Sequence, residues 1–148
     1  MNFWLFHGNP TRWRIFDYVR DNGVESMRRT EWDASRYLRD IRAGDRAALW
    51  IAGDPTARGV YAVGSVVGEP YRQLSGDDYW TDPGDRRREF WFVDLEFPQL
   101  LFEEPILAID LRRDPRFASA TILRIPRGAN PHRLSKNEWK AILDHCPA

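Results

Sequence analysis

The stretch that most constrains this chain runs from Ala47 to Glu69. Ala47-Ala48-Leu49-Trp50-Ile51 is a short apolar run bounded by turn signals, the pattern of a strand buried on both faces. Val60 to Val67 is β-branched and small, and Gly64 within it marks a bulge or a close backbone approach. Between the two runs, Gly53 to Gly59 collects Gly, Asp, Pro and Thr, a turn cluster. Together they predict a long-looped hairpin at the centre of a sheet, bent where glycine makes bending cheap. The rest of the chain then covers, extends or closes that hairpin.

Before it, Asn2 to His7 reads as a short aromatic strand that Gly8-Asn9-Pro10 breaks. Asn9 suits an N-cap with Pro10 at the first helical position, and Trp13, Phe16 and Val19 then share a helical stripe ended by Asn22-Gly23. Glu25 to Trp32 is polar and extended. A second helix is expected from Asp33 or Thr30, with Tyr37, Leu38 and Ile41 inward and Gly44 just past its end. After the hairpin, which Pro70-Tyr71 closes, residues 73–88 form a polar loop carrying Tyr79, Trp80 and Arg86-Arg87-Arg88. Glu89 to Phe97 is the clearest strand. Asp114-Pro115 marks a short helix start, and Ala120 to Ile125 reads as a short strand or extended piece. Ser135 with Glu138 matches a capping box, opening a helix with Trp139, Ile142 and Leu143 inward. No repeat, low-complexity tract or linker divides the 148 residues, so one α+β domain over 1–148 is expected.

Charge narrows the function. Twenty-two basic and 22 acidic residues cancel, which argues against a sequence-blind nucleic-acid coat held by many phosphate contacts. A local basic patch beside a specific pocket is still open, and the basic residues are nearly all Arg, suited to bidentate phosphate contacts and to stacking. No apolar run is long enough to span a bilayer and the N-terminus lacks a signal-peptide pattern, so no membrane partner is expected. A lone Cys146 fits a reducing compartment and a cytoplasmic location, as an inert terminal thiol. His7, His132 and His145 are scattered, so neither a metal site nor a cofactor is expected. There is no G-x-S-x-G elbow, Cys-His pairing or phosphate-cradling glycine loop, so the chain reads as a non-enzyme. Asp77-Asp78 and Glu103-Glu104 read as solvated loop charges. His7, ending a buried strand, is either a satisfied structural histidine or a ligand contact.

The tryptophans are the better lead, seven in a chain of this length. Trp4, Trp13, Trp91 and Trp139 fall on strand or helix patterns and read as core. Trp32 stands at a junction, Trp50 at the loop end of the central strand, and Trp80 in a polar loop beside Tyr79. These three are placed for rings to face a cavity. Parallel indole walls would grip a flat ring by stacking, worth about 1–3 kcal/mol per base, and would exclude water from a methyl group.

Phe3-Trp4-Leu5-Phe6-His7-Gly8-Asn9-Pro10, Ile41-Arg42-Ala43-Gly44-Asp45-Arg46, Gly59-Val60-Tyr61-Ala62-Val63-Gly64, Leu123 to Asn130 (LRIPRGAN) and Glu138-Trp139 together resemble the EVE domain. That family belongs to the PUA-like superfamily, alongside YTH and ASCH domains. The resemblance implies a curved mixed sheet or barrel with surrounding helices, and a pocket accepting a modified base in an aromatic cage. Such bases include 5-methyl- or 5-hydroxymethylcytosine and N6-methyladenine, with cytosine-type in DNA favoured over adenine-type in RNA. It implies Trp32 as one cage wall, Trp80 with Tyr79 as the second, Trp50 at the floor, and His7-Gly8-Asn9 in place of the Lys-Ser-Glu that often precedes this proline in the family. Asn9 is then able to read a Watson–Crick edge. Arg86, Arg87, Arg124, Arg127 and Arg133, with Arg88, become candidate phosphate contacts. The implied partners are a nucleic acid carrying a modified base and a separate nuclease or other effector protein. The alternatives are a small ASCH-like hydrolase acting on a modified nucleoside, and a protein-interaction module with exposed aromatics.

Overall fold

In the computed structural model, which describes residues 1–147, eight strands build one mixed sheet. They are β1 (Phe3–Gly8), β2 (Arg29–Asp33), β3 (Arg46–Ile51), β4 (Gly59–Val66), β5 (Tyr71–Leu74), β6 (Glu89–Leu100), β7 (Ile106–Leu107) and β8 (His132–Leu134). The helices are α1 (Ile15–Asn22), α2 (Ala108–Arg112), α3 (Thr121–Arg124) and α4 (Lys136–His145). The strand order is β2-β6-β4-β3-β1-β8, with β5 paired to β6 and β7 to β4. β1 and β3 run parallel; the other pairings are antiparallel. The long β6 organises one half: its first residues pair with β5, its last with β4, and β2 lies along its other edge.

The expected hairpin is β3 with β4, at the middle of the sheet. Side chains alternate along β3 with the two-residue period of a strand. Ala47, Leu49 and Ile51 pack with Trp4, Phe6 and Phe97 on one face, while Ala48 and Trp50 pack with Leu111, Phe117 and Ile142 on the other. Gly64 answers to both of its expected roles. The β4–β6 register shifts beside it, and a β-carbon there would lie 1.8 Å from the carbonyl oxygen of Glu96.

The sheet is curved but does not close into a barrel. β2 lies at one end of the strand order and β1 next to the other, yet the Trp32 indole Nε1 donates to the His7 carbonyl at 3.0 Å. Beyond β2, the backbone N–H groups of Ser35 and Arg36 donate to the Asn130 carbonyl, just before β8, at 2.9 and 3.0 Å. A loop rather than strand pairing thus joins the two edges, and the pocket described below lies where they approach.

Several local expectations are corrected. The Asn9 side chain closes a turn on the N–H and hydroxyl of Thr11 instead of capping a helix, and α1 starts at Ile15 with Phe16 exposed. The expected helix after Asp33 is absent: Tyr37 takes a positive φ of 57°, which a helix does not allow, and residues 38–40 form a turn. Gly44 does adopt positive φ. Tyr71 opens a strand instead of ending one. Residues 115–119 form turns after α2, and Thr121–Arg124 is a helical turn instead of a strand. The capping box is present in full: Ser135 accepts from the Glu138 N–H at 3.1 Å, and Glu138 accepts from the Ser135 N–H at 2.7 Å. Trp139 and Ile142 are buried, Leu143 is exposed, and Trp91 stands in part on the surface instead of in the core. Cys146 is half-buried after α4, where burial pushes its thiol up. Among the described residues, no helix is long and apolar enough to cross a membrane.

Candidate functional site

A cavity of about 170 Å³ opens at the ends of β1 and β2. His7 and Gly8 reach it from β1, and Thr30 to Asp33 from β2. The loop after β1 contributes Asn9, Arg12 and Trp13; the loop after β5 contributes Ser75 to Asp77 and Trp80. Tyr18 from α1, Phe92 from β6 and Asn130 complete it.

Its aromatic walls are fixed by identifiable contacts. Trp13 and Trp32 meet edge to face, with centroids 5.7 Å apart and planes at 79°. They form a corner, so the expected parallel sandwich is not the arrangement present. Trp32 is held by its bond to the His7 carbonyl, and Trp13 donates its indole N–H to Asp77 at 2.9 and 3.1 Å. Trp80 stacks on Phe90 at 5.1 Å and 6°, and the Arg12 guanidinium lies 5.5 Å from its ring centroid. The two loop walls are one unit: Arg14 N–H donates to the Tyr79 carbonyl at 2.9 Å, and Thr81 N–H to the Arg12 carbonyl at 2.8 Å.

The polar groups cluster at the end of β1. Asn130 accepts from the His7 N–H at 2.7 Å and donates to the His7 carbonyl at 2.8 Å, pinning the strand end with both sides of its amide. His7 Nε2 lies 2.6 Å from the Gly128 carbonyl. A carbonyl only accepts, so Nε2 carries the proton and a neutral ring leaves Nδ1 as an acceptor. Burial lowers the His7 pKa, against the pull of the Gly128 carbonyl and of Asp33. Burial raises the carboxyl of Asp33, with Arg12, His7 and Asn130 opposing. His132, its ring 5.2 Å from that of His7, is fully buried with neither nitrogen hydrogen-bonded, and burial pushes its pKa down to about 4.

Of the residues named from sequence, the structure brings Trp32, Trp80, His7, Gly8 and Asn9 together around this cavity. Tyr79 stands behind Trp13, packed on it and on Tyr18, with its hydroxyl donated to Asp21 at 2.8 Å. Trp50 is elsewhere: it is buried on the opposite face of β3 and stacks on Phe117 at 6.3 Å and 10°. Strand alternation is the reason, since Trp50 points away from its neighbours Leu49 and Ile51. The Asn9 carboxamide oxygen already accepts two bonds from Thr11.

The arginines divide similarly. Arg86 donates Nε to the Trp80 carbonyl at 2.9 Å, bracing the pocket rim, and Arg87 is exposed. Arg124 and Arg127 are exposed around the loop whose Gly128 carbonyl meets His7. Arg133 lies over Trp4 and Tyr37, and Arg88 over Phe90, both away from the cavity lining. Sequence reasoning missed Arg12, Trp13, Asp33 and Asn130. Trp13 was hidden by the helix expected there, and Asp33 by its use as a cap. Asn130 has no local signal, because its partner is 123 residues away.

Fold and pocket together define a class: an open, curved α+β sheet with an aromatic-walled cavity where its two edges approach. The chain belongs to the EVE domain family, whose model matches residues 2–145. Solved structures agree on the fold. A hypothetical protein from Leishmania major is 16% identical with a TM-score of 0.66, covering 97% of this chain and 93% of that one. A protein from Pseudomonas syringae is 16% identical with a TM-score of 0.67, covering 96% and 97%. Rpa0253 from Rhodopseudomonas palustris is 19% identical with a TM-score of 0.63, covering 98% and 92%. Comparison with curated proteins gives no match. The PUA-like fold is compatible with nucleic-acid binding.

Proposed function

We propose that this chain is a non-catalytic reader of a modified nucleobase, delivered into the cavity from a single strand or flipped from a duplex. The observation that carries the proposal is the Trp13–Trp32 corner in the lining of a cavity of about 170 Å³ that Phe92 and Trp80 also line. An apolar cavity of about 150 Å³ takes up benzene, so this one accommodates a single heterocyclic ring. The corner encloses a substituent on that ring from two sides and keeps water from it. Extruding a base costs a few kcal/mol, which ring contacts of about 1–3 kcal/mol per base offset. In this reading the exposed Arg87, Arg124 and Arg127 would supply phosphate contacts, which position a strand without specifying it. A separate effector such as a nuclease would act on the marked strand.

The hydrolase reading has less support. The Ser75 hydroxyl beside the cavity is committed to the Asp85 carbonyl, and the His7 Nε2 proton to Gly128. The test is a binding screen against matched oligonucleotides bearing 5-methylcytosine, 5-hydroxymethylcytosine, N6-methyladenine or no modification, in DNA and RNA. Preference for one modified strand is the expected result; equal affinity for all would overturn the proposal.

A further inference from the structure

We infer that the Asp33 carboxyl group reads the Watson–Crick edge of a cytosine-type base in this cavity, and that binding such a base takes up one proton. This rests on the base-reading function proposed above and assigns the group that does the reading.

The assignment follows from which polar groups are already engaged. The indole N–H groups of Trp13 and Trp32 are given to Asp77 and to the His7 carbonyl. Asn130 holds the His7 backbone with its carbonyl and one amide hydrogen and turns its other toward Asp33, and His7 gives its Nε2 proton to Gly128, leaving Nδ1 able only to accept. Glu31 is exposed to solvent, and its carboxylate shares the single Tyr71 hydroxyl proton, at 2.8 Å, with Asp94 at 2.6 Å. Asp33, at the end of β2 and lining the cavity, makes no ion pair within 4.0 Å among the described residues. The Asn130 amide and the backbone N–H of Asp33 itself are the donors that approach its carboxyl. A carboxyl group held in a largely buried pocket without an ion-pair partner keeps acceptor capacity for a ligand that arrives later.

The chemistry of the edge sets the proton count. Cytosine presents N4–H as a donor and N3 as an acceptor. An ionised carboxylate only accepts, so one oxygen pairs with N4–H while the other opposes the N3 lone pair. One hydrogen between oxygen and N3 resolves the clash, carried by the carboxyl or by the ring nitrogen. Either way, neutral base, carboxylate and one proton give the doubly hydrogen-bonded pair. The charged groups facing Asp33 are Arg12 from the loop after β1 and His7 from β1; Glu31 precedes it on β2 and Asp77 faces the cavity from the loop after β5. Burial already shifts Asp33 toward its protonated form. A cavity sized for one ring favours the pyrimidine over a purine, and guanine, with two donors on its edge, would need no proton at all.

The experiment measures affinity for an oligonucleotide carrying one 5-methylcytosine between about pH 6 and about pH 9, for the wild type and Asp33→Asn. Above the range where Asp33 holds its own proton, wild-type affinity should fall close to tenfold per pH unit. Calorimetry in buffers of different ionisation enthalpy should count close to one proton taken up. The amide of Asp33→Asn supplies a donor and an acceptor without titrating, so that variant should bind with no such slope. Wild-type binding that ignores pH, an equal slope in Asp33→Asn, loss of binding by a folded Asp33→Asn, or preference for a guanine or N6-methyladenine strand would each overturn the assignment. Absence of selective binding to any modified strand at any pH would overturn the reader function itself, and the assignment with it.

Discussion

Gly8 lies directly beneath the indole of Trp32: a β-carbon at residue 8 would approach Cζ2 of that ring to 2.7 Å. The glycine that breaks the first strand is therefore what lets a ring from β2 lie over its end and donate to the His7 carbonyl. Gly8→Ala should displace Trp32, breaking that bond and the corner with Trp13. Overpacking of this kind costs about 1–3 kcal/mol. The expected result is a lowered melting temperature together with loss of preference for modified strands, read by thermal unfolding and oligonucleotide titration.

Gly64→Ala has a harsher clash of a different kind. The added carbon would meet the Glu96 carbonyl oxygen at 1.8 Å, and backbone cannot rotate aside as a side chain can. The β4–β6 pairing, at the middle of the sheet, would have to part. Destabilisation at or beyond the upper end of about 1–3 kcal/mol is expected, measured as a large shift of the denaturation midpoint or as failure to accumulate folded protein.

Ser135→Ala separates stability from binding. It removes the acceptor for the Glu138 N–H in the capping box of α4, remote from the cavity. Loss of an N-cap costs about 1 kcal/mol, a few degrees of melting temperature at this chain length. Affinity for the preferred oligonucleotide should not change.

Acid should weaken the fold through His132. Its folded-state pKa is pushed from 6.5 down to about 4 by burial, with His7 and Arg36 adding to the effect. Between those values the unfolded chain binds a proton that the folded chain refuses. Stability is therefore full above about pH 6.5 and declines as pH falls toward about 4, by up to 1.36 kcal/mol per unit from this residue. Denaturant midpoints measured across that window should fall with pH, and His132→Leu should reduce the slope.

What the sequence makes legible is what local pattern determines. The β3–β4 hairpin, β6, the Gly64 bulge and the Ser135–Glu138 box each have their cause within a few residues. The cavity is legible only in part. Trp32 and Trp80 announce themselves as aromatics in polar surroundings, but Trp50 needed strand parity to send it to the other face. Asn130 and β8 depend on contacts with β1 more than 120 residues away. The helix expected after Asp33 failed at Tyr37, whose positive φ no local signal announces. That failure mattered, because treating Asp33 as a helix cap concealed it as a pocket residue.

The central claim is tested most directly by the ratio of affinities for a modified and an unmodified oligonucleotide of the same sequence, in the wild type and in Trp32→Ala. Burial of one methyl group at about 0.8 kcal/mol implies a preference of about fourfold or more in the wild type. The account predicts that this ratio collapses to about one in a folded Trp32→Ala variant. A wild-type ratio of one for every modification, or a ratio that survives the loss of Trp32 unchanged, would contradict it.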